Sequence, residues 1–355
     1  MKKAQINKLQ TGCGDFFVTA LSTIYEVEMK AGKLKESILK RSVLKQLHSR
    51  RDDVLVSPKA GGDYGAMSVT EEMAVVLSSD PVTLTKSEIG SSAIIAACND
   101  VACSGATPMG ISVTMLLPTS INEEELRELM KEMDAACEKC SVDIISGHTE
   151  VTRAVKEPLI VVTAMGTVKK DQLVHSRKVL PGMDIVATKW VGLEGTAILA
   201  TEKEEELRSR YAQPFIDKAK TFRQIMSILP EAAVAAKSGA GAMHDVSEGG
   251  VFGALWELAE SAGVGLEIDL KKIPIRQETI EICEFFDLNP YKILSGGSLL
   301  IATEDGNGLI MELEKEGIPA TIIGKATDSN DRVLINDDER RFLETTQTDE
   351  LYSIN

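Results

Sequence analysis

"AACNDVACSGATP", residues Ala96–Pro108, sets a polar pair, Asn99-Asp100, between two runs of small apolar residues. The preceding "SSAII" and the following Val101, Ala102 and Cys103 are suited to burial, so the segment reads as a helix from about Glu88 to Ser104 with no polar face. Asn and Asp are poor helix formers, because their side chains compete for the backbone's own hydrogen bonds. A carboxylate enclosed by alanine and valine is costly unless a positive group meets it. Asp100 therefore needs a cation.

Outward from this helix, apolar periodicity lays out two halves. Lys33 to His48 reads as a basic amphipathic helix, followed by the strands "DVLVSP" and "EEMAVVLSSDPVTL" around the Gly-rich turn "KAGGDYGAMSVT". After the Asn-Asp helix come a strand "GISVTMLLP", an acidic helix Asn122–Cys140, a strand "VDIIS" and a long strand "EPLIVVTAMGTV". Short connections between alternating elements predict an α+β domain with helices on one face of a mixed sheet. A polar crossing, "KKDQLVHSRKVLPG", separates this half from a second run of strands and helices, giving domains over 1–170 and 171–355.

The 355 residues carry a formal net charge of -15 and only 4% aromatics, which argues against nucleic acid and anionic membrane surfaces as partners. No apolar run approaches the ~20 residues that span a bilayer. "MKKAQINKLQTG" lacks the apolar core of a signal peptide, so the expected location is the cytoplasm. There the six cysteines are expected as reduced thiols, including the C-x-x-C pair Cys137 and Cys140 at the end of the acidic helix.

Four aspartates stand out by their surroundings. Asp63 lies in "AGGDYGA" beside Gly61 and Gly62; Asp80 ends an apolar strand before a proline; Asp100 is the helix carboxylate; Asp245 precedes a helix in "AMHDVSEGG". Carboxylates drawn from separate elements suit a hard divalent ion such as magnesium on nucleotide phosphates. Each has a plainer reading as a turn or cap residue, except Asp100. "SGHTEVT" follows a strand, so Gly147, His148 and Thr149 read as a loop offering N–H groups and a hydroxyl to phosphate oxygens. Ser247 and Gly249 in "SEGG" open a helix whose N-terminus attracts anions. Neither a P-loop nor a G-x-G-x-x-G unit is present.

"NDVACSGATP" resembles the N-D-x-A-x-x-G-A-x-P signature of the aminoimidazole ribonucleotide synthetase-related superfamily. "GGDYGA", "SSDPV", "SGHTE", "HDVSEGG" and "LSGGSLLIA" extend the resemblance in order, from about Gly61 to Ile323. It implies a ferredoxin-like N-terminal domain with a dimer-forming sheet, an α/β C-terminal domain, and ATP in a cleft shared by a homodimer. It further implies Asp63, Asp80, Asp100 and Asp245 as magnesium ligands. Gly61, Gly62, Asn99, Asp100, Gly147, His148, Thr149, Ser247 and Gly249 are implied as the nucleotide's neighbours.

Among the branches, "AMHDVSEGG" and "DELYSIN" are most similar to the hydrogenase-maturation dehydratases, hydrogenase expression/formation protein E. Those carry their substrate on a C-terminal cysteine, whereas the last cysteine here is Cys283. The acceptor is therefore expected to be a separate small molecule or protein side chain, with the tail from Gln347 dispensable for turnover. The alternatives are a small-molecule kinase resembling thiamine-monophosphate kinase, although Tyr64 stands where a second aspartate is expected, or a nucleotide-binding maturation partner without turnover. Cys13 in "TGCGDFF" is expected to be an incidental loop thiol.

Overall fold

The computed structural model describes residues 33–48, 51–344 and 348–354; Cys13 lies outside them. The segment expected as one amphipathic helix is broken. A short helix, α1 (Glu36–Ile38), passes into a wider turn over Leu39–Val43 and a tighter one over Leu44–Gln46. Ile38 is its one buried side chain, and so short a helix without an apolar stripe is not stable alone. Charge holds it instead, through Lys33 to Glu257 and Lys40 to Glu260.

The first lobe is built from β1 (Val54–Val56), β2 (Gly65–Ser68), β3 (Met73–Val82), α2 (Ile89–Ala102), β4 (Thr107–Pro118), α3 (Glu123–Cys140), β5 (Asp143–Thr152) and β6 (Leu159–Lys169). Its sheet runs β1-β2-β3-β6-β4-β5, antiparallel except for the β4–β5 pair. Alternate residues of β6 are buried: Ile160, Val162 and Ala164 face α2 and α3, as period-two patterning requires. The outward face keeps Leu77 and Met109 exposed. The lobe thus has the expected helices-on-one-face layering; within the two layers of a ferredoxin-like plait its order is βββαβαββ, with β1 and β2 preceding the βαβαββ run. α3 starts one residue later than expected because Asn122 is its cap. The Asn122 side chain accepts from Glu124 and Glu125 N–H, and Glu125 returns a bond to Asn122 N–H.

The second lobe comprises β7 (Asp184–Thr188), α4 (Leu193–Glu202), α5 (Glu204–Leu207), α6 (Gln213–Lys220), α7 (Leu229–Lys237), β8 (Ala242–Val246), α8 (Gly250–Ala262), β9 (Gly265–Asp269), α9 (Gln277–Phe285), β10 (Ser298–Thr303), α10 (Gly306–Lys315), β11 (Ala320–Thr327), β12 (Arg332–Asn336) and β13 (Glu339–Phe342). The sheet order is β13-β12-β9-β11-β7-β10-β8, with β9 and β12 parallel and the other pairs antiparallel. α8 packs on one face with Ala187 and Leu300; α7 and α10 pack on the other with Val186 and Ile301. β8 and β10 are buried along their whole lengths because helices cover both faces.

α2 lies between the lobes. Ala93, Ile94, Ala97 and Val101 enter the first core, while Ala102 and the adjoining Cys103 pack with Ala232 and Ala235 of α7. A helix enclosed on two sides has no room for a polar face, which explains the sequence around Asp100. Among the described residues, no helix is long and apolar enough to cross a membrane.

Candidate functional site

Ser92, Ala96 and Asp100 recur every four residues along α2, so they share one stripe of the helix, and this stripe lines a cavity of about 310 Å³ between the lobes. The turn between β1 and β2 brings Asp63, the far part of β3 brings Asp80, and β8 brings Asp245 to the same cavity. The structure therefore gathers all four aspartates singled out by sequence. Ser78, two residues before Asp80, places its Oγ 2.8 Å from Asp80 Oδ2 and 2.6 Å from Asp100 Oδ2.

So many carboxylates cannot all stay ionised without a cation. Burial, reinforced by Asp245 and Asp80, drives the Asp100 carboxyl well above its ordinary range. Burial also lifts Asp63 to about 7, against the pull of His244 and with help from Asp245 and Glu257. A divalent ion would relieve this repulsion, and the donors are the hard oxygens that magnesium takes, with one or two carboxylates per ion completed by phosphate oxygens and water. Cys103 lies with Asp63 and Asp245 in one group of closely spaced donors. Burial, followed by Asp245 and Asp63, pushes its thiol far up in the metal-free protein.

His244, 3% exposed, is a site residue that sequence reasoning missed, although it adjoins Asp245 in the quoted motif. Its Nδ1 lies 3.2 Å from Asp63 Oδ1, and its Nε2 lies 3.4 Å from Glu257 Oε2. Burial alone would discharge the imidazole, but Asp63, Asp245 and Glu257 outweigh it and keep it cationic. Glu257, on α8, also accepts from Lys33 Nζ at 3.1 Å. Burial would raise its carboxyl, yet Lys33 and His244 hold it at about 2. Nothing in the local pattern of "LWELAES" distinguishes Glu257 from an ordinary surface glutamate; only the fold brings it here. Lys59, also missed, lines the cavity and donates to Ser176 Oγ at 2.5 Å and Ser261 O at 3.2 Å.

Three expectations are met by a different geometry within this chain. Asn99 does not face the cavity. It is 2% exposed, its Nδ2 donates to Met226 O and its Oδ1 accepts from Ile228 N–H, both at 3.0 Å. Its amide is spent on joining α2 to the second lobe, because neighbouring helical residues point about 100° apart. Gly147, His148 and Thr149 are not a loop. They lie within β5, an exposed edge strand paired with β4, and none of them lines the cavity. The glycine suggested a turn, but Gly147 is needed because a Cβ there would sit 2.4 Å from Val113 O on the neighbouring strand. Gly249 does not offer its N–H to a phosphate, since Asp349 Oδ2 already accepts it at 2.8 Å.

Gly61, Gly62 and Ser247 do line the cavity. Gly61 has φ +67°, and a Cβ on it would lie 2.2 Å from Glu257 O, so the turn carrying Asp63 is pressed against α8. Asp349 belongs to the tail expected to be dispensable; Leu351, 1% exposed, is buried in a cluster with Leu84 and Leu294. Cys137 and Cys140 are buried on α3, within the same core cluster as Cys98 of α2.

A two-layer lobe and a three-layer lobe enclosing convergent aspartates define a class. The N-terminal domain of the AIR synthase related proteins matches residues 61–168 and their C-terminal domain matches residues 181–336, and the chain belongs to this family. A putative hydrogenase expression/formation protein of Methanocaldococcus jannaschii is 27% identical over 313 residues, covering 86% of this chain and 91% of that protein. The carbamoyl dehydratase HypE of Rhodobacter capsulatus is 27% identical over 252 residues, covering 69% and 72% respectively. The crystal structure of a hydrogenase maturation protein HypE in complex with ATP shares the fold, with a TM-score of 0.67 at 19% identity over 90% of this chain and 97% of that one.

Proposed function

We propose that the protein is an ATP- and magnesium-dependent phosphoryl-transfer enzyme of the dehydratase type, acting on a separate acceptor oxygen. The observation that carries this reading is the convergence of Asp63, Asp80, Asp100 and Asp245, from both lobes, on one cavity. Held by these carboxylates, magnesium would supply charge neutralisation to phosphate oxygens, and phosphoryl transfer needs positioning and neutralisation more than a covalent nucleophile. Lys59 adds a positive group at the wall beside Gly61 and Gly62. His244 and Glu257 fix the neighbours of Asp63 by opposite charge. Phosphorylating a carbonyl oxygen turns it into a leaving group, and its expulsion as phosphate amounts to dehydration. The carbamoyl dehydratase name of a relative supports an amide-type acceptor of this kind.

The kinase alternative is supported by the shared fold of a ThiL structure complexed with AMPPCP and TMP, with a TM-score of 0.68 at 18% identity, while Tyr64 turns its hydroxyl to Val174 O and away from the cavity. A homodimer belongs to the same proposal: the first sheet exposes Leu77 and Met109 on its outer face and Ile145 and Val151 on its edge strand. Phosphate release from magnesium-ATP, measured across amide, carbamoyl and phosphorylated acceptors, tests the function. Stimulation by one acceptor class, lost in Asp100→Asn, is expected. ATP binding of equal strength in EDTA and in magnesium would overturn the assignment.

A further inference from the structure

The cavity has a second polar feature that the metal-binding carboxylates do not use. Glu194, in the first turn of α4, faces it beside Ser92. The Ser92 hydroxyl and the Gly296 N–H are the donor groups beside the Glu194 carboxyl and favour its ionised form. A Cβ on Gly296 would stand 2.2 Å from Glu194 Oε2, so "LSGGSLL" needs glycine there to bring its backbone onto this carboxylate. The Gly195 N–H donates to Leu294 O at 2.8 Å and fixes the same turn of α4 against that segment. The nearest cation, Arg223, is engaged elsewhere: its Nη2 donates to Thr85 and Ser87, and its Nε pairs with Glu88. A carboxylate offers about four lone-pair sites, so two donors leave acceptor capacity turned toward the cavity. Burial lifts this carboxyl to about 6, against the pull of Arg223 and Ser92, which leaves it ionised at neutral pH.

Position decides what it would meet. Ser92 and Asp100 lie on one stripe of α2, eight residues and so about 12 Å apart along the helix axis, and Glu194 beside Ser92 therefore lies toward the end of the cavity away from Asp100. The transferred phosphoryl group lies at the aspartates, so Glu194 meets the part of a bound molecule that reaches away from that group. The other end of a nucleotide triphosphate is the nucleoside, and a carboxylate accepting from ribose hydroxyls is a common mode of nucleoside recognition.

We infer that Glu194 is a nucleoside-recognition residue, accepting hydrogen bonds from the ribose hydroxyls of a nucleotide whose phosphates lie at the four aspartates. This rests on the proposed nucleotide site, and the probes separate the two. Calorimetric titration of the full chain with magnesium-tripolyphosphate, magnesium-ATP and magnesium-2′,3′-dideoxy-ATP is compared for wild type, Glu194→Met and Glu194→Gln. Methionine keeps the volume without an acceptor; glutamine keeps an acceptor oxygen. Hydrogen bonds to a charged group predict a roughly ten- to hundredfold loss of ATP affinity in Glu194→Met, with tripolyphosphate and dideoxy-ATP affinities unchanged. Glu194→Gln is expected to recover a large part of that loss. Equal ATP affinity in wild type and Glu194→Met overturns the inference while leaving the phosphate site standing. The same loss for dideoxy-ATP as for ATP overturns it too, by pointing to packing. Wild type that binds neither tripolyphosphate nor ATP with magnesium removes the nucleotide reading and this one together.

Discussion

Two adjacent residues, Asn99 and Asp100, divide the labour of their motif by helical geometry. Asp100 faces the cavity with Asp80 and Ser78, while Asn99 faces the second lobe. Asp100→Asn removes a carboxyl that burial makes costly to ionise, so the metal-free protein is expected to melt no lower than wild type, while the rise in melting temperature on adding magnesium and ATP disappears. A preserved magnesium-dependent shift in that variant would count against Asp100 as a ligand. Asn99→Ala has the opposite signature. It leaves Met226 O and Ile228 N–H unpaired in a buried interface, at a cost of about 1–3 kcal/mol. Denaturant titration should show this loss, with the magnesium-ATP affinity of the folded protein much less affected. An unchanged midpoint would show that Asn99 is not a clamp.

Elements meet the site at their ends. The N-terminus of α8 carries Gly249, whose N–H is capped by Asp349 from the tail, and Leu351 anchors that tail in the core. A carboxylate at this helix end is favoured by the helix dipole and occupies a place that a phosphate would otherwise attract. Deleting Gln347 to Asn355 is therefore no longer expected to be neutral. Loss of the buried Leu351 side chain alone costs about 2–5 kcal/mol by analogy with leucine-to-alanine changes. Asp349→Asn, which keeps the shape, should raise hydrogen exchange at Gly249 and Gly250 while Leu351 holds the tail in place. Unchanged exchange there would show that the cap is not what orders the "SEGG" segment. At the first sheet, the exposed edge strand β5 is the kind of element that proteins cover, since its backbone groups invite pairing.

The whole molecule carries these local charges as a pH dependence. Burial holds Asp63 at about 7 and Glu194 and Asp349 at about 6, and drives Asp100 well above the ordinary carboxylate range. Unfolded carboxylates titrate near 4, so between about pH 4 and 7 the folded chain binds the more protons and its stability falls as pH rises. His244, raised, adds a contribution of the same sign. His175, pushed down to about 4 by burial and Lys59, works against it. More groups act in the first direction, so the melting temperature in EDTA is expected to be higher at pH 5.5 than at pH 7.5 (roughly the two sides of the ~4–7 window). Saturating magnesium should reduce or reverse the difference, because it binds the ionised carboxylates. A metal-free melting temperature that rises across this range would contradict the clustering. Light scattering should give a mass of twice the 38.4 kDa chain; a monomer at micromolar concentration would contradict the dimer.

The sequence by itself determined most of the elements and singled out the four aspartates that line the cavity. Periodicity located α2, α3, β4 and β6, because burial on one or two faces leaves a local trace in residue order. The isolation of Asp63, Asp80, Asp100 and Asp245 among glycines and apolar residues was visible for the same reason. Tertiary structure decided which side chains turn toward the cavity. Asn99 and Asp100 are adjacent in the chain and part company only when a second lobe packs against α2. Gly147 looks like a loop residue until a neighbouring strand takes up the space of its side chain. Glu257 and Glu194 sit on helices whose local sequence does not mark them, and Asp349 lies 100 residues from the amide it caps. Such residues acquire their roles from distant partners, and the chemistry of distant partners leaves no periodic trace along the chain.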